Sequence, residues 1–300
     1  MNTDFLKGVI VPIITPIDEN ERIDEKALRE QVDYVIQGGI LGVLAFGSNG
    51  EFYVIEEDEM ERGLRIMIDA AAGRVPVYLG IGAIGTKKCV RLAKMAKACG
   101  ATGISVLQPM FLKPTETELF LHFKTIADAV PDMPVLLYNN PGRVGYTMSG
   151  DLVERLAHEV ENIVGMKDTS GDMTQTAEFI RRTRDVGFKV FGGKDTLLYA
   201  SLCHGAVGGV CTAGNFMPEL ITDIYNKYVA GDLEGALEAQ FKLNPVRLSM
   251  DGASFPVAAK DMARLRGRKV GLPYTPNLAT PEGPVLDKIR NEMKKAGLIN

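Results

Sequence analysis

The segment Asn162-Ile163-Val164-Gly165-Met166-Lys167-Asp168-Thr169-Ser170-Gly171-Asp172 places one lysine where an apolar run gives way to a turn. A β-strand buried on both faces reads as a short apolar run bounded by turn residues. Lys167 therefore stands at the carboxyl end of such a strand, its stem in apolar surroundings. Lysine is seldom buried without a partner, and desolvation disfavours its ammonium form. A free amine held there can attack a carbonyl carbon. A surface lysine at a strand-to-loop junction fits the same segment, so the choice falls to the rest of the chain.

Working outward, seven more apolar runs read as strands: Gly8–Ile14, Leu41–Phe46, Val75–Leu79, Ile104–Leu107, Pro134–Tyr138, Lys189–Phe191 and Val207–Cys211. Helical patterns separate them. Asp24 is a good N-cap ahead of Leu28, Val32 and Val35. Glu56 to Glu59 put acids at the start of a helix whose buried stripe is Met60, Leu64, Met67 and Ala71. Thr115 and Glu118 form a capping box before Leu119, Phe123 and Ile126. The pattern G-x-x-G recurs before three apolar runs, at Gly39, Gly100 and Gly205, each reading as a helix C-cap that turns into a strand.

Eight βα units in about 215 residues predict a (β/α)8, or TIM, barrel. A doubly wound sheet is the alternative, because periodicity does not show closure. Beyond Met217 the pattern is all helical: Glu219–Val229, Leu233–Arg247, Val257–Arg266 and Val285–Ala296. The expected division is a barrel carrying the active site over 1–230 and an additional C-terminal helical cap over 231–300.

Composition narrows the function. With 300 residues and 46% hydrophobic content the chain can bury a large core. A net charge of -4 offers no basic face for a nucleic acid, and no run approaches the ~18 apolar residues of a membrane span. Met1–Lys7 leads directly into a strand-like segment without a signal peptide. Cys89, Cys99, Cys203 and Cys211 lack metal-ligand spacing and read as buried thiols of a reducing compartment. A cytoplasmic protein is expected.

Barrel enzymes carry their chemistry at the carboxyl ends of the strands. Those ends supply Ser48, Asn49 and Glu51, then Gln108, then Tyr138, Asn139 and Asn140, then Lys167 and Lys194. A tyrosine relaying protons and a lysine forming an imine make a site for carbonyl chemistry. Tyr138 also fits a packed tyrosine with a partnered hydroxyl. Gly47-Ser48-Asn49-Gly50 suits an anion-binding turn for a carboxylate, or an ordinary βα turn. Arg143 is a candidate clamp for a second carboxylate, or a solvated loop residue.

Two other chemistries find little support. Gly80-Ile81-Gly82-Ala83-Ile84-Gly85 matches G-x-G-x-x-G, but no strand ending in Asp or Glu follows about 20 residues on, as a dinucleotide site requires. His122, His158 and His204 fall on separate helices, so no catalytic metal is expected.

Taken together, Gly47-Ser48-Asn49-Gly50-Glu51, Gln108-Pro109-Met110-Phe111-Leu112-Lys113-Pro114, Tyr138-Asn139-Asn140-Pro141-Gly142-Arg143 and Gly165-Met166-Lys167-Asp168 resemble the dihydrodipicolinate synthase / N-acetylneuraminate lyase family. The likeness runs over essentially the whole chain. It implies a homotetramer, or dimer of dimers, that forms a Schiff base with pyruvate or another 2-oxo acid, with no cofactor beyond that imine. By position Lys167 would form the imine and Tyr138 would shuttle protons. Ser48 and Asn49 would hold the pyruvate carboxylate, and Gly193 and Val210 would line its pocket.

The second substrate divides the resemblance. Arg143 stands where the synthases bind the carboxylate of aspartate semialdehyde. The synthases, however, usually have two threonines at the Ser48-Asn49 positions, and at the Phe111 position a tyrosine that enters a neighbouring subunit's site. Phenylalanine cannot relay a proton. Met110 stands where lysine-inhibited synthases often have a tyrosine. The Ser-Asn pair is similar to that of 4-hydroxy-2-oxoglutarate aldolases. The expectation is a class I pyruvate-dependent lyase of the dihydrodipicolinate synthase kind. The alternatives are an aldolase or dehydratase acting on 4-hydroxy-2-oxoglutarate or a 2-keto-3-deoxy sugar acid, and a non-catalytic barrel that binds a 2-oxo acid as a regulator.

Overall fold

The computed structural model describes residues 1–300. Eight strands form one closed parallel barrel in chain order: β1 (Gly8–Pro12), β2 (Gly42–Ala45), β3 (Val77–Ile81), β4 (Gly103–Leu107), β5 (Val135–Asn139), β6 (Ile163–Asp168), β7 (Lys189–Gly192) and β8 (Gly208–Val210). Closure removes the doubly wound alternative. The seam pairs β8 with β1 through Gly8↔Gly208, Val9↔Gly209 and Ile10↔Val210. Glycine is required at Gly208, because a methyl there would fall on the Gly8 carbonyl oxygen.

Around the strands run α1 (Glu25–Gln37), α2 (Glu57–Ala71), α3 (Thr86–Cys99), α4 (Glu116–Asp128), α5 (Pro141–Val144), α6 (Gly150–Glu159), α7 (Met173–Thr183) and α8 (Leu198–Cys203). The C-terminal helices are α9 (Pro218–Val229), α10 (Leu233–Ser249), α11 (Val257–Leu265) and α12 (Pro284–Lys295). Asp24 caps α1 by accepting from the Ala27 amide, and Thr115 with Glu118 closes the capping box of α4. The main core lies between strands and helices. A smaller cluster of Leu6, Ile10, Leu44, Tyr78, Leu136, Val164, Phe191 and Val210 fills the barrel interior, so the barrel is a packed body and not a pore.

One irregularity aims the lysine. β5 and β6 pair Val135↔Ile163 and then Leu136↔Gly165, so Val164 is an extra residue opposite no partner. Val164 points into the barrel interior, Met166 into the outer core, and Asp168 reaches Thr176 on α7. Lys167, between the last two, faces inward. Strict alternation from Val164 would have sent it to the helix side; the bulge shifts the phase by one residue.

Three expectations need correction. Strand three runs over Val77–Ile81 rather than Val75–Leu79. Its Gly80 belongs to the strand because a side chain there would strike the Phe46 carbonyl, and Gly82 packs beneath the Phe52 ring. The G-x-G-x-x-G string thus marks close packing. Cys203 is exposed at the end of α8 and Cys99 is only partly buried, while Cys89 and Cys211 are buried. Lys194 is exposed at the loop after β7, so it does not join the other strand-end polar groups. No helix is long and apolar enough to cross a membrane.

Candidate active site

Lys167 and Tyr138 are register partners on β6 and β5, and both side chains are buried. Lys167 Nζ lies 4.3 Å from the centre of the Tyr138 ring. Tyr138 Oη accepts a hydrogen bond from Asn140 Nδ2 at 2.8 Å, with Ser48 and Lys167 also within bonding reach. Burial by itself pushes the phenol up. The neighbouring Lys167 charge, the hydrogen bond from Asn140 and the nearby polar groups of Ser48 and Lys167 outweigh it, so Tyr138 titrates below its ordinary value. A depressed phenol beside an amine is suited to taking and returning a proton.

The turn after β2 closes one side of the site. Ser48–Gly50 form a single 3-10 turn, with Ser48 half-buried and Asn49 buried. Asn49 Nδ2 donates to Thr212 Oγ1 at 3.0 Å, and its Oδ1 has no partner. Turning the amide over keeps the bond to Thr212 with donor and acceptor exchanged, and leaves Nδ2 as the free group. A small cavity bounded by Ser48, Ser105 and Tyr138 lies on the β2–β5 side.

The remaining candidates divide. Val210 is buried at the end of β8 in the interior cluster. Gly193 follows β7, where its amide donates to the Asp168 carbonyl at 2.7 Å; a methyl there would strike Thr169. Arg143, on α5, is exposed, its guanidinium 4.6 Å above the Phe255 ring. Phe111 is 89% exposed at φ 77° and stands clear of the lysine pocket.

Hydrogen bonds behind these side chains fix the arrangement. Gln108 Nε2 donates to the Tyr146 carbonyl at 2.7 Å, and its Oε1 accepts from the Asn140 amide at 3.3 Å. Asn140 in turn holds Tyr138. Asp168, next to Lys167, accepts from Asn139 Nδ2, the Ser170 amide and hydroxyl, and Thr176 Oγ1. Sequence reasoning placed Gln108 and Asn140 at strand ends but missed Thr212 and Asp195. Asp195 accepts from the amides of Thr212 and Ala213 at 2.9 and 3.0 Å. The only sequence signal for it was an acid three residues past the glycine that ends β7. The three histidines have separate neighbours: Thr86 for His122, Asp185 for His158, and the Ala200 carbonyl for His204.

The dihydrodipicolinate synthetase family model matches residues 5–297. A 4-hydroxy-tetrahydrodipicolinate synthase from Methanopyrus kandleri is 34% identical over 295 residues, which cover 98% of this chain and 97% of the relative. One from Trichlorobacter lovleyi is 36% identical over 293 residues, covering 97% and 99%. The crystal structure of the dihydrodipicolinate synthase of Thermotoga maritima superimposes with a TM-score of 0.94 at 28% identity, covering 98% of this chain and 99% of that one. A prophage protein of E. coli K12 belonging to the dihydrodipicolinic acid synthase family, solved in complex with pyruvate, gives 0.93 at 28% identity, covering 97% and 99%. With its barrel, its strand-end lysine and tyrosine and its full-length match, this chain belongs to the dihydrodipicolinate synthetase family.

Proposed function

We propose that the protein is a class I, Schiff-base lyase that condenses pyruvate with an aldehyde of the aspartate-semialdehyde kind. The observation that carries this reading is the buried Lys167 amine 4.3 Å from the Tyr138 ring, beside the Ser48-Asn49 turn. Lys167 Nζ, having passed a proton to Tyr138, attacks the ketone carbon of pyruvate. The carbinolamine loses its oxygen as water with a proton returned by Tyr138, leaving a protonated imine. That imine draws electrons from the methyl carbon, which gives up a proton to become an enamine and attacks the aldehyde. Hydrolysis frees the amine. The Ser48-Asn49 turn holds the carboxylate, and Gly193 and Val210 line the pyruvate pocket. The chemistry runs through this covalent imine and calls on no other cofactor.

The same proposal takes residues 1–230 as the barrel that carries the site and 231–300 as a helical cap, in a cytoplasmic homotetramer. Phe111 and Leu112, 89% and 70% exposed, support assembly at that face. Light scattering on the eluted protein tests it.

The alternative substrate, 4-hydroxy-2-oxoglutarate or a 2-keto-3-deoxy sugar acid, is favoured by Phe111, which lacks the hydroxyl of a synthase relay. Incubation with pyruvate and sodium borohydride, followed by peptide mapping, tests the imine. An adduct on Lys167, absent from Lys167→Ala, is expected; turnover by Lys167→Ala overturns the reading. Supplying pyruvate with aspartate semialdehyde, glyoxylate or glyceraldehyde then separates the substrates. A preference for the first that Arg143→Ala abolishes is expected.

A further inference from the structure

The Ser48-Asn49 turn is tied on both sides to helices that lie outside the barrel. Glu51 follows the turn at φ 59° with its side chain fully buried. Its Oε2 meets Lys260 Nζ of α11 at 2.6 Å, where the lysine side chain is 1% exposed. Glu51 Oε1 accepts from the Tyr274 amide at 3.0 Å. Lys260 also donates to the Leu272 carbonyl at 2.9 Å and lies 5.3 Å from the Tyr274 ring centre. On the other flank, Asn49 is bonded to Thr212, whose amide is held by Asp195. Asp195 in turn meets Arg247 Nε of α10 at 3.1 Å.

One fully buried ion pair and one partly buried pair converging on one short turn are not explained by stability. A buried pair is often no more stabilising than apolar residues of the same volume, because both charges must be stripped of water. What such a pair does supply is one geometry, since its opposite charges meet closely in a single arrangement. A carboxylate-receiving turn needs that, because misplacement by about 1 Å at a binding group can cost ~100-fold in rate.

Resting on the pyruvate reading above, we propose that Lys260 and Arg247 are positioning residues for the substrate carboxylate. Lys260 acts through Glu51, and Arg247 acts through Asp195, Thr212 and Asn49. The C-terminal helices are then a working part of the site, although none of their residues touches the reacting atoms.

The test compares two ketones that form the same kind of imine, pyruvate with a carboxylate and acetone without one. Lys260→Met, Glu51→Gln, Arg247→Met and the charge-free double variant Glu51→Gln/Lys260→Met are each trapped with borohydride on Lys167, and their melting temperatures are recorded. Loss of a charge-assisted contact predicts a pyruvate KM raised roughly tenfold with kcat changed less than about threefold, and acetone trapping within about twofold of wild type. In the double variant thermal stability recovers while the pyruvate KM stays raised, which a structural role alone does not produce. Equal loss of pyruvate and acetone trapping, or an unchanged pyruvate KM in all folded variants, overturns the proposal. Should Lys260→Met fail to fold, Arg247→Met on the opposite flank carries the same comparison. Absence of any wild-type pyruvate adduct on Lys167 instead overturns the parent reading, and this one with it.

Discussion

Lys167 and Tyr138 are direct neighbours across the β6–β5 ladder, and the amine sits over the phenol ring, Nζ 4.3 Å from its centre. Removing the Tyr138 hydroxyl leaves that packing in place and takes away only the proton acceptor. Tyr138→Phe is therefore expected to lower kcat on the order of 100- to 10,000-fold. Borohydride should still trap pyruvate on Lys167, more slowly. Steady-state kinetics beside trapping checks this; a Phe variant with full kcat would remove Tyr138 from the relay.

Asp168 is the hub that fixes the strand end beyond the lysine. Its carboxylate takes hydrogen bonds from Asn139, Ser170 and Thr176, the last at 2.6 Å. Thr176→Val keeps the shape and deletes one donor to a buried charge. A loss of about 1–3 kcal/mol is expected from urea unfolding. A variant as stable as the parent would show that water replaces the hydroxyl.

His122, buried on α4, bonds Thr86 through Nδ1 and has no partner on Nε2. Burial pushes it down to about 4 from an ordinary 6.5. Below pH 6.5 the unfolded chain binds a proton that the folded one refuses. Stability present above that pH is thus lost as pH falls from 6.5 towards 4. The loss amounts to roughly 3 kcal/mol. Urea midpoints across that range should flatten in His122→Gln; an unchanged slope would place the titration elsewhere.

Gly165 sits at the bulge, where an added methyl would strike the Lys189 carbonyl and come within 2.9 Å of Leu136 Cδ2. Gly165→Ala is expected to cost about 1–3 kcal/mol through overpacking. By pushing the strand it should also slow imine formation more than Thr176→Val does. Denaturant unfolding and the trapping rate together check both effects.

The bulge also marks where reading the chain stopped short. Apolar runs and caps gave eight strands and their helices, since each signal is local: Asp24, Thr115 and Glu118 act within one turn of their helices. Lys167 was legible because an apolar run leads to it. Its inward aim was not, since that depends on a register slip against β5. Gly80 reads as a turn residue until the Phe46 carbonyl packs against it from the β2 end. Asp195 and Lys260 were missed for the same reason. Their partners lie 17 and 209 positions away, and no periodicity reports a contact of that span.

The seam between Gly8 and Gly208 has a consequence for how the molecule comes into being. A ring of staves has no ends, but every partial ring has two. Until the chain is made as far as Val210, β1 and whichever strand was formed last both carry unpaired backbone groups, open to a foreign strand. Protection arrives all at once, when a three-residue strand that opens on two glycines slides against the first. The shortest stave is thus the keystone, and a truncation just before it would leave an adhesive sheet rather than a smaller enzyme.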